Sequence, residues 1–260
     1  MMKVVPIVIA PTYNNAATLA EVIARVVGMG LPALVVNDGS TDRTAEVLAT
    51  LAQTYREPQL RVITHGQNRG KAAALMTGFT EATRIGGYTH GVTIDTDGQL
   101  EPEEARRLLE RAENYPRGLI LGVRDLSTPD YPPKNKMGRW FSNLAIRLEC
   151  GVRVTDSQCG FRVYPLELIR VAGCKTGHFS FEAEVLTRAA WAGYEIVEER
   201  VSCRYLPQEQ RVSHFKPWRD TFRGLGLHGG LLLESLYRRP MAALARRERE
   251  PTMKAGRVGA

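Results

Sequence analysis

The chain has 260 residues, 43% of them hydrophobic and 24% charged, with a formal net charge of +7. This is globular composition, which excludes a disordered or fibrous chain, and the length supports one large domain or a domain with an appendage. The cation excess favours anionic partners such as phosphorylated substrates, nucleic acid or an acidic membrane surface. Cys150, Cys159, Cys174 and Cys203 form no C-x-x-C pair. That argues against structural zinc and for reduced thiols in a cytosolic protein. The apolar run at the N-terminus is too short for a signal peptide, and no window of about 18 uncharged apolar residues predicts a transmembrane helix.

In chain order, Val4–Ala10 is β-branched and ends at Pro11, as a strand buried on both faces does. The polar loop Pro11-Thr12-Tyr13-Asn14-Asn15 leads to a helix over Leu19–Met29, with Leu19, Val22, Ile23, Val26 and Val27 at helical spacing. A second strand, Ala33–Val36, runs into Asn37-Asp38-Gly39-Ser40-Thr41-Asp42 and a helix over Thr44–Tyr55. The third strand is Leu60–Ile63. It is followed by a Gly- and Asn-rich loop, His65–Gly70, and a helix over Lys71–Arg84. The fourth, Gly91–Ile94, ends on Asp95-Thr96-Asp97-Gly98-Gln99. Four strand–loop–helix units predict an α/β fold with a mostly parallel sheet wound by right-handed crossovers. Ligands then bind beyond the C-terminal strand ends, where all these polar loops fall.

Beyond Gln99, the pattern predicts a helix over Glu101–Asn114 and a fifth strand over Leu119–Val123. A Pro-rich mobile loop over Ser127–Arg139 and an amphipathic helix over Trp140–Cys150 follow. A polar segment, Val152–Gly160, leads to Phe161–Tyr164. A helix over Phe181–Trp191 and an alternating strand over Glu195–Arg204 come next. A basic loop, Pro207–Pro217, precedes a mostly helical stretch, Trp218–Arg239, and a frayed basic tail.

Asp95 and Asp97 carry the most chemistry. Carboxylates at i and i+2 on an extended strand share one side. Such a pair suits a hard divalent cation, magnesium or manganese; as a turn, Asp-Gly is equally ordinary. Arg69 and Lys71 open a helix, a place where backbone N–H groups and cations together receive a diphosphate. No Walker A pattern is present, and none of the four predicted strands runs into a G-x-G-x-x-G fingerprint.

The ordered set Pro11-Thr12-Tyr13-Asn14, Asn37 to Asp42 and Asp95 to Gln99 resembles the nucleotide-sugar half of family 2 glycosyltransferases with the GT-A fold. Asp156-Ser157-Gln158-Cys159-Gly160-Phe161-Arg162 and Phe179 to Glu184 extend the likeness toward polyprenyl-phosphate mannose and glucose synthases, over about residues 4–217. The resemblance implies an inverting, metal-dependent hexosyltransferase using a UDP- or GDP-sugar and Mg2+ or Mn2+.

On the donor side, Asp38 would contact the base beside Pro11, Thr12, Tyr13, Asn14 and Gly39, and Lys71 would meet the diphosphate. Asp97 would hold the metal, Asp95 the ribose or metal, and Gln99 would lie near both. His214 is the candidate third metal ligand. Asn15 replaces a glutamate common in the family, so no carboxylate role is carried over. Arg124 would reach donor phosphates or sugar.

On the acceptor side, Asp156 would act as base or orient the acceptor. Gln158, Arg162, Glu182 (ranked above Glu184), Arg211, Ser213 and Lys216 would serve the acceptor or its phosphate. A polyprenyl-phosphate acceptor implies work on the cytoplasmic face of a membrane, with residues 218–240 as an interfacial amphipathic helix or one packed on its own domain or a second subunit. Residues 1–217 would be the catalytic domain and 241–260 a basic flexible tail. A soluble or glycolipid acceptor is the alternative. A nucleotidyltransferase lacks its glycine-rich basic loop here. An anion-binding module, or one for nucleic acid, would concentrate its cations in one stripe.

Overall fold

The computed structural model describes residues 3–125, 133–174, 181–204 and 224–238. Seven strands make one sheet: β1 Pro6–Thr12, β2 Ala33–Asn37, β3 Leu60–Thr64, β4 His90–Thr93, β5 Leu119–Arg124, β6 Arg162–Pro165 and β7 Ile196–Val201. Their spatial order is β3-β2-β1-β4-β6-β5-β7. β1, β2, β3 and β4 run parallel, in a register that aligns Thr12 with Asn37 and Asn37 with Thr64. The chain winds outward from β1 to β3 and returns to β4 on the other side of β1. That makes the β1/β4 boundary a topological switch point, where such sheets open a crevice. β6 runs antiparallel to both β4 and β5, and β7 restores a parallel pair with β5.

Side chains alternate across the sheet and so fill two cores. Val8, Ala10, Val35, Val92, Ile120 and Val163 face α1 (Leu19–Gly28), α2 (Thr44–Thr54) and α4 (Ala105–Asn114). Ile7, Ile9, Leu34, Leu119, Leu121 and Tyr164 face α3 (Lys71–Ile85), α6 (Leu166–Ala172) and α7 (Phe181–Trp191). Each fully buried aliphatic or aromatic side chain in these layers contributes about 1.5–3 kcal/mol. The layers thereby fix where the strand ends, and the polar loops on them, lie.

The structure corrects three expectations. The Pro-rich stretch is helical from Pro133, and α5 spans Pro133–Cys150. Proline is favourable in a helix's first turn, so Pro133 opens the helix that a loop reading would delay to Trp140. β4 ends at Thr93, so Asp95 and Asp97 sit in the loop beyond it and not on extended strand. α6 has no counterpart in the sequence reading, because seven residues carry too little periodicity. A helix at residues 224–238, here α8, covers part of the expected C-terminal helix. Among the described residues no helix is long and apolar enough to cross a membrane.

Candidate active site

The switch point is built by hydrogen bonds between loops. Thr96, between the two aspartates, is fully buried. Its hydroxyl donates to Thr12 Oγ1 at 3.0 Å and accepts from Asn15 Nδ2 at 2.9 Å. Its carbonyl accepts from Thr18 Oγ1 at 2.6 Å. With Thr96 turned inward, Asp95 and Asp97 are left on the crevice side. Gln99 N donates to Asp97 Oδ1 at 3.0 Å, an Asx turn that holds the second carboxylate.

The acid pair is electrically unequal. Lys71, the first residue of α3, places its Nζ 2.6 Å from Asp95 Oδ1 and 2.9 Å from Glu182 Oε1. Burial opposes the ammonium's charge, yet Asp95 and Glu182 together hold Lys71 above its ordinary range. Among the described residues Asp97 has no such ion-pair partner. Burial, and then the charge on Asp95, push its carboxyl up to about 6. A divalent cation is the group that relieves this strain, so the donor set fits one. Among the described residues no group of three His, Cys, Asp or Glu could hold a metal. Within the described residues the groups available to such a cation are these two carboxylates, a set that suits Mg2+ or Mn2+ keeping waters and phosphate oxygens.

The second loop is latched to the third. Asp38 is buried and accepts from Arg69 N at 2.9 Å, Gly70 N at 2.7 Å and the His65 ring at 2.7 Å. His65 Nε2 lies 3.0 Å from Thr77 Oγ1. Gly39, at φ +68°, passes so close that a Cβ would stand 2.3 Å from the Gln67 carbonyl carbon. Both Asp38 oxygens are thus engaged within the protein, and a base would meet the loop that Asp38 shapes. Asn14 adopts φ 53°, tolerated by asparagine, and its Oδ1 accepts from Thr41 N at 2.8 Å. Tyr13 and Pro11 stand on the same β1 edge.

The other wall comes from the polar segment before β6. Asp156 is fully buried and pairs with Arg124, at the end of β5: Nε to Oδ2 at 2.7 Å and the second guanidinium nitrogen to Oδ1 at 3.0 Å. Gln158 N also donates to Asp156 Oδ1, at 3.2 Å. Burial alone would raise the Asp156 carboxyl, but the Arg124 guanidinium outweighs it and holds the group below the ordinary carboxylate range. So held, Asp156 is a weak base and a strong positioner of Arg124. Two residues past Gln158, Gly160 meets Asp95 and its partner Lys71. A Cβ there would stand 2.8 Å from both Asp95 Oδ2 and Lys71 Nζ. Thr93 Oγ1 donates to the Gly160 carbonyl at 2.6 Å, which fixes that contact.

Arg162, expected at a phosphate, is fully buried. Its guanidinium donates to the carbonyls of Cys159 at 2.8 Å, Glu182 at 2.8 Å and Ser157 at 2.6 Å. It binds the segment to α7 from behind. Glu182 is likewise turned to Lys71. Arg211, Ser213, His214 and Lys216 lie outside the described residues.

Sequence reasoning passed over His65, Thr96, Ser142 and Asn143. His65 stands one residue past β3, at the same sheet edge as Asp38, and Thr96 is the inward member of an alternating triplet. Both carried a signal. Ser142 and Asn143 carried none, because their partners, Ser157 and Thr155, are reached only through the tertiary fold.

Polar loops at a switch point, an acid pair beside a lysine, and an arginine–carboxylate pair on the facing wall define the site of a GT-A-fold glycosyltransferase. Residues 7–184 match the sequence family described as "Glycosyl transferase family 2", and the chain belongs to it. An undecaprenyl-phosphate mannosyltransferase of Micrococcus luteus is 29% identical over 206 residues, 76% of this chain and 82% of that one. A polyprenol monophosphomannose synthase of Mycolicibacterium smegmatis is 30% identical over 206 residues, 74% of each chain. Among solved structures, a mannosyltransferase of Pyrobaculum calidifontis in complex with GDP-Man and Mn2+ superposes with a TM-score of 0.57 at 19% identity. That match covers 94% of this chain and 74% of the other.

Proposed function

We propose that this glycosyltransferase moves a hexose, with inversion, from a nucleotide-diphospho-sugar to a polyprenyl phosphate, and that it needs Mg2+ or Mn2+. GDP-mannose is the donor to test first, because both relatives described above carry mannosyl transfer in their names. The observation that carries the reading is the meeting of the two walls at Gly160. There Asp95 and its partner Lys71 lie within one contact of the segment that positions Arg124.

Asp97, with Asp95 and the Gln99 turn beside it, would hold the cation. When bound, the cation neutralises the departing nucleoside diphosphate. Lys71 holds Asp95 in place through their ion pair. Arg124, oriented by Asp156, would bring its cationic guanidinium to phosphate oxygens. A phosphate monoester is already anionic near neutral pH, so its oxygen attacks the anomeric carbon without a strong base. The bond from that carbon to the diphosphate oxygen breaks as the new bond forms. Catalysis then rests on positioning, in keeping with an Asp156 held as a weak base. Work at the cytoplasmic face of a membrane follows from a lipid-linked acceptor and a soluble donor.

The test is a donor screen by thermal shift with UDP- and GDP-sugars plus Mn2+, followed by transfer of labelled sugar to polyprenyl phosphate. Stabilisation by one donor and a labelled, acid-labile lipid product are expected. Transfer only to soluble acceptors would overturn the acceptor assignment, and transfer undiminished by metal chelation would overturn the metal.

A further inference from the structure

α5 has two faces with opposite jobs. Its inner face holds the acceptor-side wall. Asn143 Oδ1 accepts from Ser157 N at 3.2 Å, Asn143 Nδ2 donates to the Thr155 carbonyl at 2.9 Å, and Ser157 Oγ donates to Ser142 Oγ at 3.0 Å. Ile146 and Glu149 on that side are fully buried. The outer face is apolar and open to solvent: Met137 is 65% exposed, Trp140 58%, Phe141 58% and Leu148 53%. With half-buried Leu144 they recur every three or four residues, one stripe along the helix. The Trp140 and Phe141 rings meet edge-on, 4.9 Å between centroids.

Charge decides what this stripe meets. Lys136 and Arg147 are exposed, and helical geometry puts both along one flank of it. The one acidic residue between 136 and 150 is Glu149. It is buried and taken up by Thr187 Oγ1 at 2.7 Å and the His228 ring at 2.6 Å. The exposed surface of this part of α5 therefore carries cations and apolar groups and no anion. A two-fold contact with a second copy would set these like charges against each other. An anionic bilayer satisfies both features: tryptophan and phenylalanine enter the headgroup–acyl boundary and the cations stay at the phosphates.

We propose that the Met137–Trp140–Phe141–Leu144–Leu148 stripe is a membrane-docking face that seats α5 on the surface of an anionic bilayer. Because the inner face of the same helix fixes the Asp156–Gly160 segment, docking presents that wall to phosphates at the lipid surface. This second step rests on the lipid-phosphate acceptor proposed above. The docking itself does not.

The experiment is flotation of the purified full chain with phosphatidylcholine vesicles containing about 30% phosphatidylglycerol, without donor or acceptor. The wild type is expected to float, and to do so less in high salt. The Trp140→Glu/Phe141→Glu double variant should lose binding by about tenfold or more while its melting temperature stays within a few degrees. Both positions are surface-exposed, and Trp140→Ala/Phe141→Ala serves if the charged pair does not fold. In turnover assays the double variant should keep transfer to a short, water-soluble prenyl phosphate and lose it to long-chain polyprenyl phosphate in vesicles. A double variant that floats like the wild type overturns the proposal. So does a wild type that stays unbound and sediments as a dimer that the double variant splits. Flotation with no transfer to either prenyl phosphate would count against the acceptor reading and leave the docking face standing.

Discussion

On the β1–β4 side, each loop of the site is bonded to the next. Asn14 holds the β2 loop, Asn15 and Thr18 hold Thr96, and Asp38 holds the β3 loop through two backbone N–H groups and His65. On the β5–β7 side, an antiparallel strand interrupts the sheet. The site segment there hangs on Arg162 from behind and on Ser142 and Asn143 from α5. The first wall is braced by neighbours along one sheet edge. The second is braced by a few contacts from elements distant in the chain. Under the proposed reading, the densely bonded wall would take the compact, charged donor and the wall held from distant elements the long acceptor.

The sharpest way to break this contrast is at the acid pair. Asp97→Ala should lower metal-dependent transfer by about a thousandfold or more while the fold remains. The same carboxyl sets a pH dependence. Its native pKa, about 6, lies above the ordinary aspartate value, so the charged form is the disfavoured one in the metal-free fold. The sign is then fixed: Asp97 costs stability as pH rises through that range, and Asp97→Asn should stabilise the apo protein at pH 7 by about 1–2 kcal/mol. Protons compete with the cation, so Mn2+ affinity should fall as pH drops through about 6. Calorimetric titration of Mn2+ from pH 5 to pH 8 reads this directly. A flat profile in the wild type would refute it.

Lys71→Met comes next. It strands Asp95 and Glu182 side by side, and should cost about 2–4 kcal/mol in urea unfolding together with most of the activity. Glu182→Gln leaves one ion pair and should cost less. Equal effects would mean that Lys71 does not link the two walls.

Asp156→Asn should lower kcat by about ten- to a hundredfold with little change in donor KM, because it disorients Arg124 without touching the donor crevice. The wild-type Asp156 carboxyl is held down. Its stabilising pairing is therefore present above the ordinary aspartate pKa and lost only as pH falls through a lower value. An acidic limb near pH 6 should persist in Asp156→Asn if it belongs to Asp97. Its loss there would reassign it.

The smallest expected effects compare two histidines, each on a buried or half-buried carboxylate contact. His65→Ala removes a brace of the donor crevice and should raise donor KM several-fold at about 1–2 kcal/mol of stability, with partial rescue by His65→Gln. His228→Ala removes one pin of α8 on Glu149, leaving Arg188 on Glu234 at 3.1 Å. It should speed amide exchange in residues 224–238 and leave donor KM unchanged. A matching rise in donor KM in both would erase the distinction between the halves.

The parallel half was legible because its information is local. Strand, polar loop and helix recur in order, and Lys71 opens its helix as expected. That Asp95 and Asp97 follow the fourth strand was legible, but not the geometry of the pair. The two carboxylates face the crevice from a loop pinned by Thr96, whose partners Thr12 and Asn15 lie over 80 positions away. Arg162 is expected at the acceptor or its phosphate because it ends the Asp156–Arg162 segment that carries the family resemblance. Its burial and three carbonyl partners follow from the antiparallel seat of β6, which has no pattern in sequence.

By itself, then, the amino-acid order determined the periodicities, the run of polar loops at strand ends and the residue types of a family 2 glycosyltransferase. Side-chain period and loop chemistry are set by near neighbours. The tertiary structure alone decided which of those residues stay open to a substrate and which are spent inside. It engaged Asp38 and Arg162, divided the acid pair by giving Asp95 a lysine, and turned an apolar stripe of α5 outward. Burial and pairing are properties of partners brought together from distant parts of the chain, and those partners become neighbours only when the sheet is assembled.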